Sequence, residues 1–153
     1  MTPADLAWLR RSIELSARAR AEGHHPFGTV LVDAQGRLIA EGMNRSREDA
    51  TAHSEMVALR LAAGEAARLQ GATMYCSTEP CAMCAGAAYW AGIARVVFAL
   101  SEAGLLRLTG SHHENPTFSL PCREVFARGQ RAVQVEGPLL EDDAAKPHCG
   151  FWR

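Results

Sequence analysis

Four residues in two short stretches of the chain have the side-chain types and the spacing of a metal centre. The stretch TAHSEM contains His53 and Glu55, and the stretch STEPCAMCAG contains Cys81 and Cys84. Each stretch is expected to open a helix, so two helix starts can face each other across one cleft. One imidazole and two thiolates suit zinc, and three protein ligands leave the fourth tetrahedral position for water. The sequence therefore predicts an open, catalytic zinc site.

The Cys-x-x-Cys pair by itself has other interpretations. Thioredoxin-like enzymes use this spacing at a helix N-terminus as a redox dithiol. The pair would also fit half of a structural zinc site, for which Cys76, Cys122, Cys149 or another histidine would have to supply a fourth ligand. None of these residues lies in a second motif with ligand spacing, which favours the open site.

Glu55 is the residue that would make such a zinc site catalytic. Zinc lowers the pKa of a bound water to about 7, but a proton must still be carried to the leaving group. Two residues after His53, Glu55 can approach that water without ligating the metal. An acidic residue in the first turn of a helix is also common for electrostatic reasons alone, so the interpretation depends on the accompanying cysteines.

Length and composition indicate one domain over residues 1–153, with 48% hydrophobic and 22% charged residues. No apolar run approaches the roughly 18 residues that would span a bilayer, and MTPADLAWLRR lacks the pattern of a signal peptide. We therefore expect a cytoplasmic protein with no membrane partner. The cysteines are odd in number, which argues against a disulfide framework, and the net charge of −1 gives no general attraction for nucleic acid.

Helical and strand patterns alternate along the chain. Helices are predicted over 3–22, over about 52–69 with Thr51 as the cap, over about 81–91 and over 121–129. Strands are predicted at FGTVLVD, RLIAEGM, ATMYCS, RVVFAL and AVQVEG, the first two as a hairpin. Residues 101–119 are expected to form a functional loop or a broken helix. These elements predict an α/β fold in which a mixed sheet lies between helices.

The stretch HSE, followed after a gap by EPCAMC, resembles the H-x-E and P-C-x-x-C signature of the cytidine deaminase-like zinc deaminases. The resemblance runs from the first helix to RVVFAL and weakens after residue 100. It implies a three-layer α/β/α sandwich with a central mixed five-stranded sheet, in which zinc is held by His53, Cys81 and Cys84. It further implies that Glu55 is the general acid and base, and that Asn44 hydrogen-bonds the substrate ring. By itself, Asn44 would be a turn residue.

Within that superfamily the chain is most similar to purine free-base enzymes of the guanine deaminase type. The similarity lies in HPFGTV, which contains Phe27, and in GAAYWAG, which contains Trp90. It implies hydrolysis of a free base or nucleoside such as guanine, with Phe27 and Trp90 near the substrate. Glu114 is the nearest counterpart of an acidic residue that helps handle the exocyclic amine in guanine deaminases. A solvated loop charge and an aromatic used for core packing are the alternative interpretations of Glu114 and Trp90.

The C-terminal stretch DAAKPHCGFWR carries two large aromatic residues, Phe151 and Trp152. Leaving them in water is costly, since burying a large aromatic side chain recovers about 2 to 3 kcal/mol. The resembling deaminases are commonly dimers, so we expect a homodimer and a tail that caps a pocket, with Phe151 or Trp152 in the pocket wall. Simple packing on the outer surface is the alternative.

Three other functions stay open at this point. A tRNA adenosine deaminase would share EPCAMCAGA, but the acidic tail argues against nucleic acid as a partner. A cytosine deaminase-like enzyme is the second alternative. The third is a non-catalytic, zinc-stabilised interaction module, which would have no need for Glu55 beside an open metal position.

Overall fold

The computed structural model describes residues 1–153, and its centre is one sheet with the strand order β2-β1-β3-β4-β5. The strands are β1 (Gly28–Val32), β2 (Leu38–Met43), β3 (Thr73–Thr78), β4 (Arg95–Leu100) and β5 (Gln134–Glu136). Strand β1 runs antiparallel to both β2 and β3, whereas β3, β4 and β5 are parallel to one another. The mixed five-stranded sheet expected from the sequence is therefore confirmed.

Helices cover both faces of the sheet. One face carries α1 (Pro3–Ala21), α5 (Glu102–Thr109) and α7 (Glu141–Ala145), and the other carries α2 (Ser54–Leu61), α3 (Ala66–Leu69), α4 (Ala82–Ala91) and α6 (Cys122–Ala127). Two short 3-10 turns follow α2 and α7, at Ala63–Glu65 and Lys146–His148. No helix is both long enough and apolar enough to cross a membrane.

The core divides into two clusters because side chains alternate along each buried strand. In β3, Met74 packs with the cluster that contains α2 and α4, while Tyr75 packs with the cluster under α1. In β4, Val96 and Val97 divide in the same way. Both faces of the sheet are thus covered, and the predicted three-layer α/β/α sandwich is confirmed.

Helix α1 is fixed to the sheet by a buried carboxylate. Thr2 caps the helix in a capping box with Asp5. Asp5 also accepts hydrogen bonds of 2.7 Å from the Tyr75 hydroxyl and from the Arg95 guanidinium. The bond from Arg95 holds the pKa of Asp5 well below its usual range.

The predicted helix over 52–69 is wrong in its extent. Helix α2 ends at Leu61, and a 3-10 turn that contains Gly64 separates it from α3. Glycine in a helix interior costs about 1 kcal/mol relative to alanine, which favours a break there. Thr51 is not the cap: its hydroxyl donates to Asp49, and the N-cap residue is His53, whose side chain makes no capping bond.

The segment predicted as a functional loop or broken helix contains both kinds of structure. Residues 102–109 form α5, and the chain then runs without helix or strand to the start of α6.

Close packing of α2 against the sheet sets the position of its first turn. Gly42 in β2 lies directly under this turn, and a Cβ atom there would collide with the Ser54 carbonyl oxygen. The absence of a side chain at Gly42 lets the start of α2 lie against the sheet.

Candidate metal centre and substrate cavity

His53, Cys81 and Cys84 come together at the starts of two helices on the same face of the sheet. His53 is the N-cap residue of α2, and Cys81 is the N-cap residue of α4. Cys84 lies in the first turn of α4 and is fully buried. The positive ends of two helix dipoles favour thiolate ligands at this position.

The distances between these side chains fit a tetrahedral zinc ion. The His53 Nδ1 atom lies 3.5 Å from the Cys81 Sγ atom and 3.6 Å from the Cys84 Sγ atom. Ordinary zinc–nitrogen and zinc–sulfur bonds at a tetrahedral angle place a nitrogen and a sulfur about 3.6 Å apart. The three residues therefore have the chemistry and the spacing to hold zinc, and no other group of His, Cys, Asp or Glu side chains comes together as a metal cluster.

Glu55 lies beside this centre and is almost completely buried, with 7% of its surface exposed. Its Oε2 atom accepts a hydrogen bond of 3.2 Å from the Ser54 hydroxyl, which in turn pairs with the Thr29 hydroxyl at 2.8 Å. Burial raises the pKa of the Glu55 carboxyl. A carboxyl whose pKa is moved toward neutrality can take up a proton and release it again, as an acid–base catalyst must.

A cavity of about 520 Å³ adjoins the metal centre and Glu55, and Phe27, Asn44 and Glu114 line it as well. Asn44 is buried, and its Oδ1 atom accepts hydrogen bonds from the Ser46 backbone N–H and the Ser46 hydroxyl. These two bonds orient the amide and leave its Nδ2 donor for a bound molecule.

Glu114 is held in place by the Arg47 side chain, and His25 lies close to it. Its two carboxylate oxygens each lie 3.3 Å from a nitrogen of the Arg47 guanidinium, and Oε1 lies 3.6 Å from the His25 Nε2 atom. The bond from Arg47 lowers the pKa of Glu114, so the group is a carboxylate at neutral pH. The cavity thus offers a donor at Asn44 and an acceptor at Glu114.

Comparison with known proteins assigns the chain to a family. The model of the cytidine and deoxycytidylate deaminase zinc-binding region matches residues 3–100. The chain belongs to this family. It is 41% identical to a probable cytosine deaminase of Schizosaccharomyces pombe over 153 aligned residues. The alignment covers 99% of this chain and 94% of that protein. The resemblance stated from the sequence is confirmed, and zinc is the family's metal.

Two further similarities show the range of substrates among the relatives. A tRNA-specific adenosine deaminase of Haemophilus influenzae is 43% identical over 102 residues, which are 64% of this chain and 59% of that protein. A solved structure of guanine deaminase from Nitrosomonas europaea superimposes with a TM-score of 0.77 at 28% identity, over 98% of this chain and 84% of that one. The chain is therefore a hydrolytic deaminase of nucleobases or nucleosides.

Two of the aromatic residues predicted to contact substrate in this deaminase do not line the cavity. Trp90 is 84% exposed, because the buried face of α4 is formed by Cys84, Ala85 and Ala88 and the indole lies off that face against the Tyr89 ring. The structure therefore does not bring Trp90 to the substrate site.

Trp152 supports the cavity wall from behind. Its ring centroid lies 5.0 Å from that of His25 and 6.2 Å from that of Phe27, and both of these side chains line the cavity. Phe151 packs against the same histidine at 5.7 Å. The tail is therefore docked, as expected, but in this structure it forms a layer behind the wall and Trp152 does not face the cavity.

Several residues of the deaminase site were not found by sequence reasoning: His25, Ser46, Arg47, Ser54, Glu79 and Glu102. Ser54 and Glu79 lie inside the two motifs, so their position beside the ligands was an available signal. The other four residues are brought to the cavity by the tertiary fold, and no local sequence pattern indicates that they line it. Glu79 accepts hydrogen bonds from the backbone N–H groups of Glu102 and Cys122, which fixes the starts of α5 and α6.

The packing of the tail predicts a pH-dependent loss of stability through His148. This residue is 3% exposed, its Nδ1 atom accepts a 3.0 Å hydrogen bond from the Trp152 indole, and burial followed by the nearby Arg20 charge lowers its pKa to about 4. Between the ordinary histidine pKa of 6.5 and about 4, the unfolded chain binds more protons, so stability falls as the pH falls. The loss attributable to His148 approaches about 3 kcal/mol at pH 4.

We expect His148→Asn to flatten this dependence, since an asparagine oxygen can accept from Trp152 but does not take up a proton. Melting temperatures from pH 7.5 to pH 4.5 would be compared for the wild type and the variant. His113→Asn, at an exposed position, is the matched control and should follow the wild type. Parallel profiles for the wild type and His148→Asn would contradict the prediction.

Proposed function

We propose that this deaminase acts on a free purine base of the guanine type and releases its exocyclic amino group as ammonia. His53, Cys81 and Cys84 hold the zinc, and Glu55 carries the proton. The observation that supports this most directly is the cavity of about 520 Å³ beside the metal centre, with a fixed donor at Asn44 and a fixed carboxylate at Glu114. A cavity of this volume accommodates a two-ring base.

Zinc bound at this centre supplies a water of lowered pKa. Glu55 accepts a proton from the attacking water and delivers it to the substrate, so that the carbon–nitrogen bond breaks with neutral ammonia as the leaving group. The hydrogen bond from Ser54 keeps the Glu55 carboxyl in one orientation during both transfers. Burial excludes bulk water, which strengthens the electrostatic interactions of the carboxyl with the reacting groups.

Recognition of the base depends on groups that the chain has already ordered. The Asn44 amide donates to an acceptor of the ring, and the Glu114 carboxylate accepts from a ring or amino N–H group. Phe27 supplies an apolar wall next to these polar groups. The structural similarity to the guanine deaminase of Nitrosomonas europaea supports this assignment of the substrate class.

Cytosine is the second candidate substrate. The probable cytosine deaminase of Schizosaccharomyces pombe is 41% identical over nearly the whole chain, including the region after residue 100 that helps line the cavity. Cytosine and guanine both carry an exocyclic amino group on a ring carbon that is bonded to at least one ring nitrogen, so attack of water at that carbon and loss of ammonia would follow the same course for both.

A screen of ammonia release tests the proposal. The zinc-loaded protein would be given guanine, 2,6-diaminopurine, adenine, cytosine, isocytosine and their nucleosides, with inosine formation in tRNA measured separately. We expect kcat/KM for guanine to exceed that for every other compound by about tenfold or more, the discrimination that one well-placed hydrogen bond provides. A higher kcat/KM for cytosine would replace purine by pyrimidine in the assignment. Faster reaction on tRNA than on every free base would overturn the assignment to free bases.

A further inference from the structure

Four glutamate side chains line the cavity: Glu55, Glu79, Glu102 and Glu114. Three of them accept hydrogen bonds from the chain itself. The donors are the Ser54 hydroxyl for Glu55, two backbone N–H groups for Glu79, and the Arg47 guanidinium for Glu114. The carboxyl group of Glu102 accepts no hydrogen bond and forms no ion pair, which sets it apart from the other three.

Glu102 is nevertheless well buried, with 8% of its surface exposed. Its backbone is fixed at the first position of α5, where its N–H donates to Glu79 and the preceding residue, Ser101, caps the helix through Gly104. The carboxyl therefore lies in the cavity wall because the main chain holds it there, not because a side-chain partner attracts it. Burial, followed by the charges of Cys81 and Glu79, raises the pKa of Glu102 to about 8. An N–H donor bound to the carboxyl would favour its charged, accepting form.

The Glu102 carboxyl lines the cavity and has no hydrogen-bond partner in the chain, so it is available to a bound molecule or an ordered water. Glu102 lines the same cavity as His53, Cys81 and Glu55, and the charges of Cys81 and Glu55 act on its carboxyl group. A base bound for deamination must present its reacting carbon at the metal centre, together with the amino and ring N–H groups attached to or beside that carbon.

We propose that Glu102 is a substrate-binding residue whose carboxyl group accepts a hydrogen bond from an N–H group at or next to the reacting carbon of the base. The inference rests on the proposed function in so far as a cyclic base with an amino group occupies the cavity. It applies to purines and pyrimidines alike, because both carry such an N–H group.

Two substitutions separate this role from a structural one. Glu102→Met has a similar length but no acceptor, and we expect it to raise KM by about tenfold or more while kcat changes much less. Glu102→Gln retains an acceptor oxygen and should recover most of the lost affinity. Zinc content should stay at the wild-type level in both variants. The melting temperature of Glu102→Met should be equal to or above that of the wild type, because an unpartnered buried carboxyl contributes nothing to stability.

The matched controls are Glu124→Met and Glu124→Gln, at an exposed position of α6. All kinetics would use the compound from the ammonia-release screen that the wild type deaminates with the highest kcat/KM. If that compound is cytosine, the purine assignment fails, but the KM comparison on cytosine still tests Glu102. An unchanged KM for Glu102→Met, or a lower melting temperature without a change in KM, would show that Glu102 does not bind the substrate.

Discussion

Replacement of Glu55 by glutamine is expected to lower kcat by about 100-fold or more while the protein stays folded and keeps its zinc. Glutamine has the same length and can still accept the hydrogen bond from the Ser54 hydroxyl through its amide oxygen. It does not carry a proton between water and the leaving amine, so the loss should fall on the chemical step and not on substrate binding. Steady-state kinetics on the preferred base, with zinc analysis and melting temperature, would measure these effects.

The control for this experiment is Glu124→Gln, which makes the same chemical change on the exposed surface and should leave kcat and KM unaltered. Turnover near the wild-type rate in Glu55→Gln would contradict the assignment of Glu55 as the proton carrier. A rise in KM with an unchanged kcat would instead make Glu55 a residue that binds substrate in its ground state.

The metal centre was predictable from the sequence because its geometry is local. The sequence separation of Cys81 and Cys84 spans one turn at the start of a helix, and His53 and Glu55 occupy the corresponding part of α2. Only the meeting of the two helix starts depends on the tertiary fold. Each of the two helices connects one strand of the sheet to a parallel strand. Such crossovers have one hand, so α2 and α4 must pack on the same face of the sheet, with their first turns close together.

The rest of the cavity depends on contacts between residues that are far apart in the chain. Arg47 reaches Glu114 across 67 positions, and Trp152 reaches His25 from the opposite end of the chain. No periodicity or motif encodes such pairs. Trp90 illustrates the converse error: its motif suggested a substrate contact, but the rotation of α4 about its axis, set by the burial of Cys84 and Ala88, leaves the indole in solvent.

The extent of α2 was mispredicted for a related reason. A helix was predicted through Ala63–Glu65, but these residues form a 3-10 turn around Gly64 and the chain then passes through α3 to β3. Propensity arguments detect a glycine inside a helical pattern without deciding whether the chain bends there.

Removal of zinc is expected to abolish activity and to lower the melting temperature by several degrees. The native protein should hold about one zinc per chain, because three ligands with tetrahedral spacing converge at a single point. The ligands join the start of α2 to the start of α4, so the binding free energy of the metal also stabilises the contact between these helices. Cys84 is fully buried, and its sulfur atom lies 3.6 Å from the His53 Nδ1 atom, so loss of the metal removes the group that joins these two side chains.

Single substitutions distinguish loss of the metal from general damage by a chelator. Cys81→Ala should lose most of the bound zinc and lower kcat/KM by about 1000-fold or more, because no activated water is then available at neutral pH. Cys149→Ala removes an exposed thiol away from the centre and should retain both zinc and activity. Adding zinc back to chelated wild-type protein should restore turnover, whereas Cys81→Ala should not recover at the same zinc concentration. A folded, metal-free preparation that still releases ammonia at the wild-type rate would rule out zinc hydrolysis as the chemistry of this site.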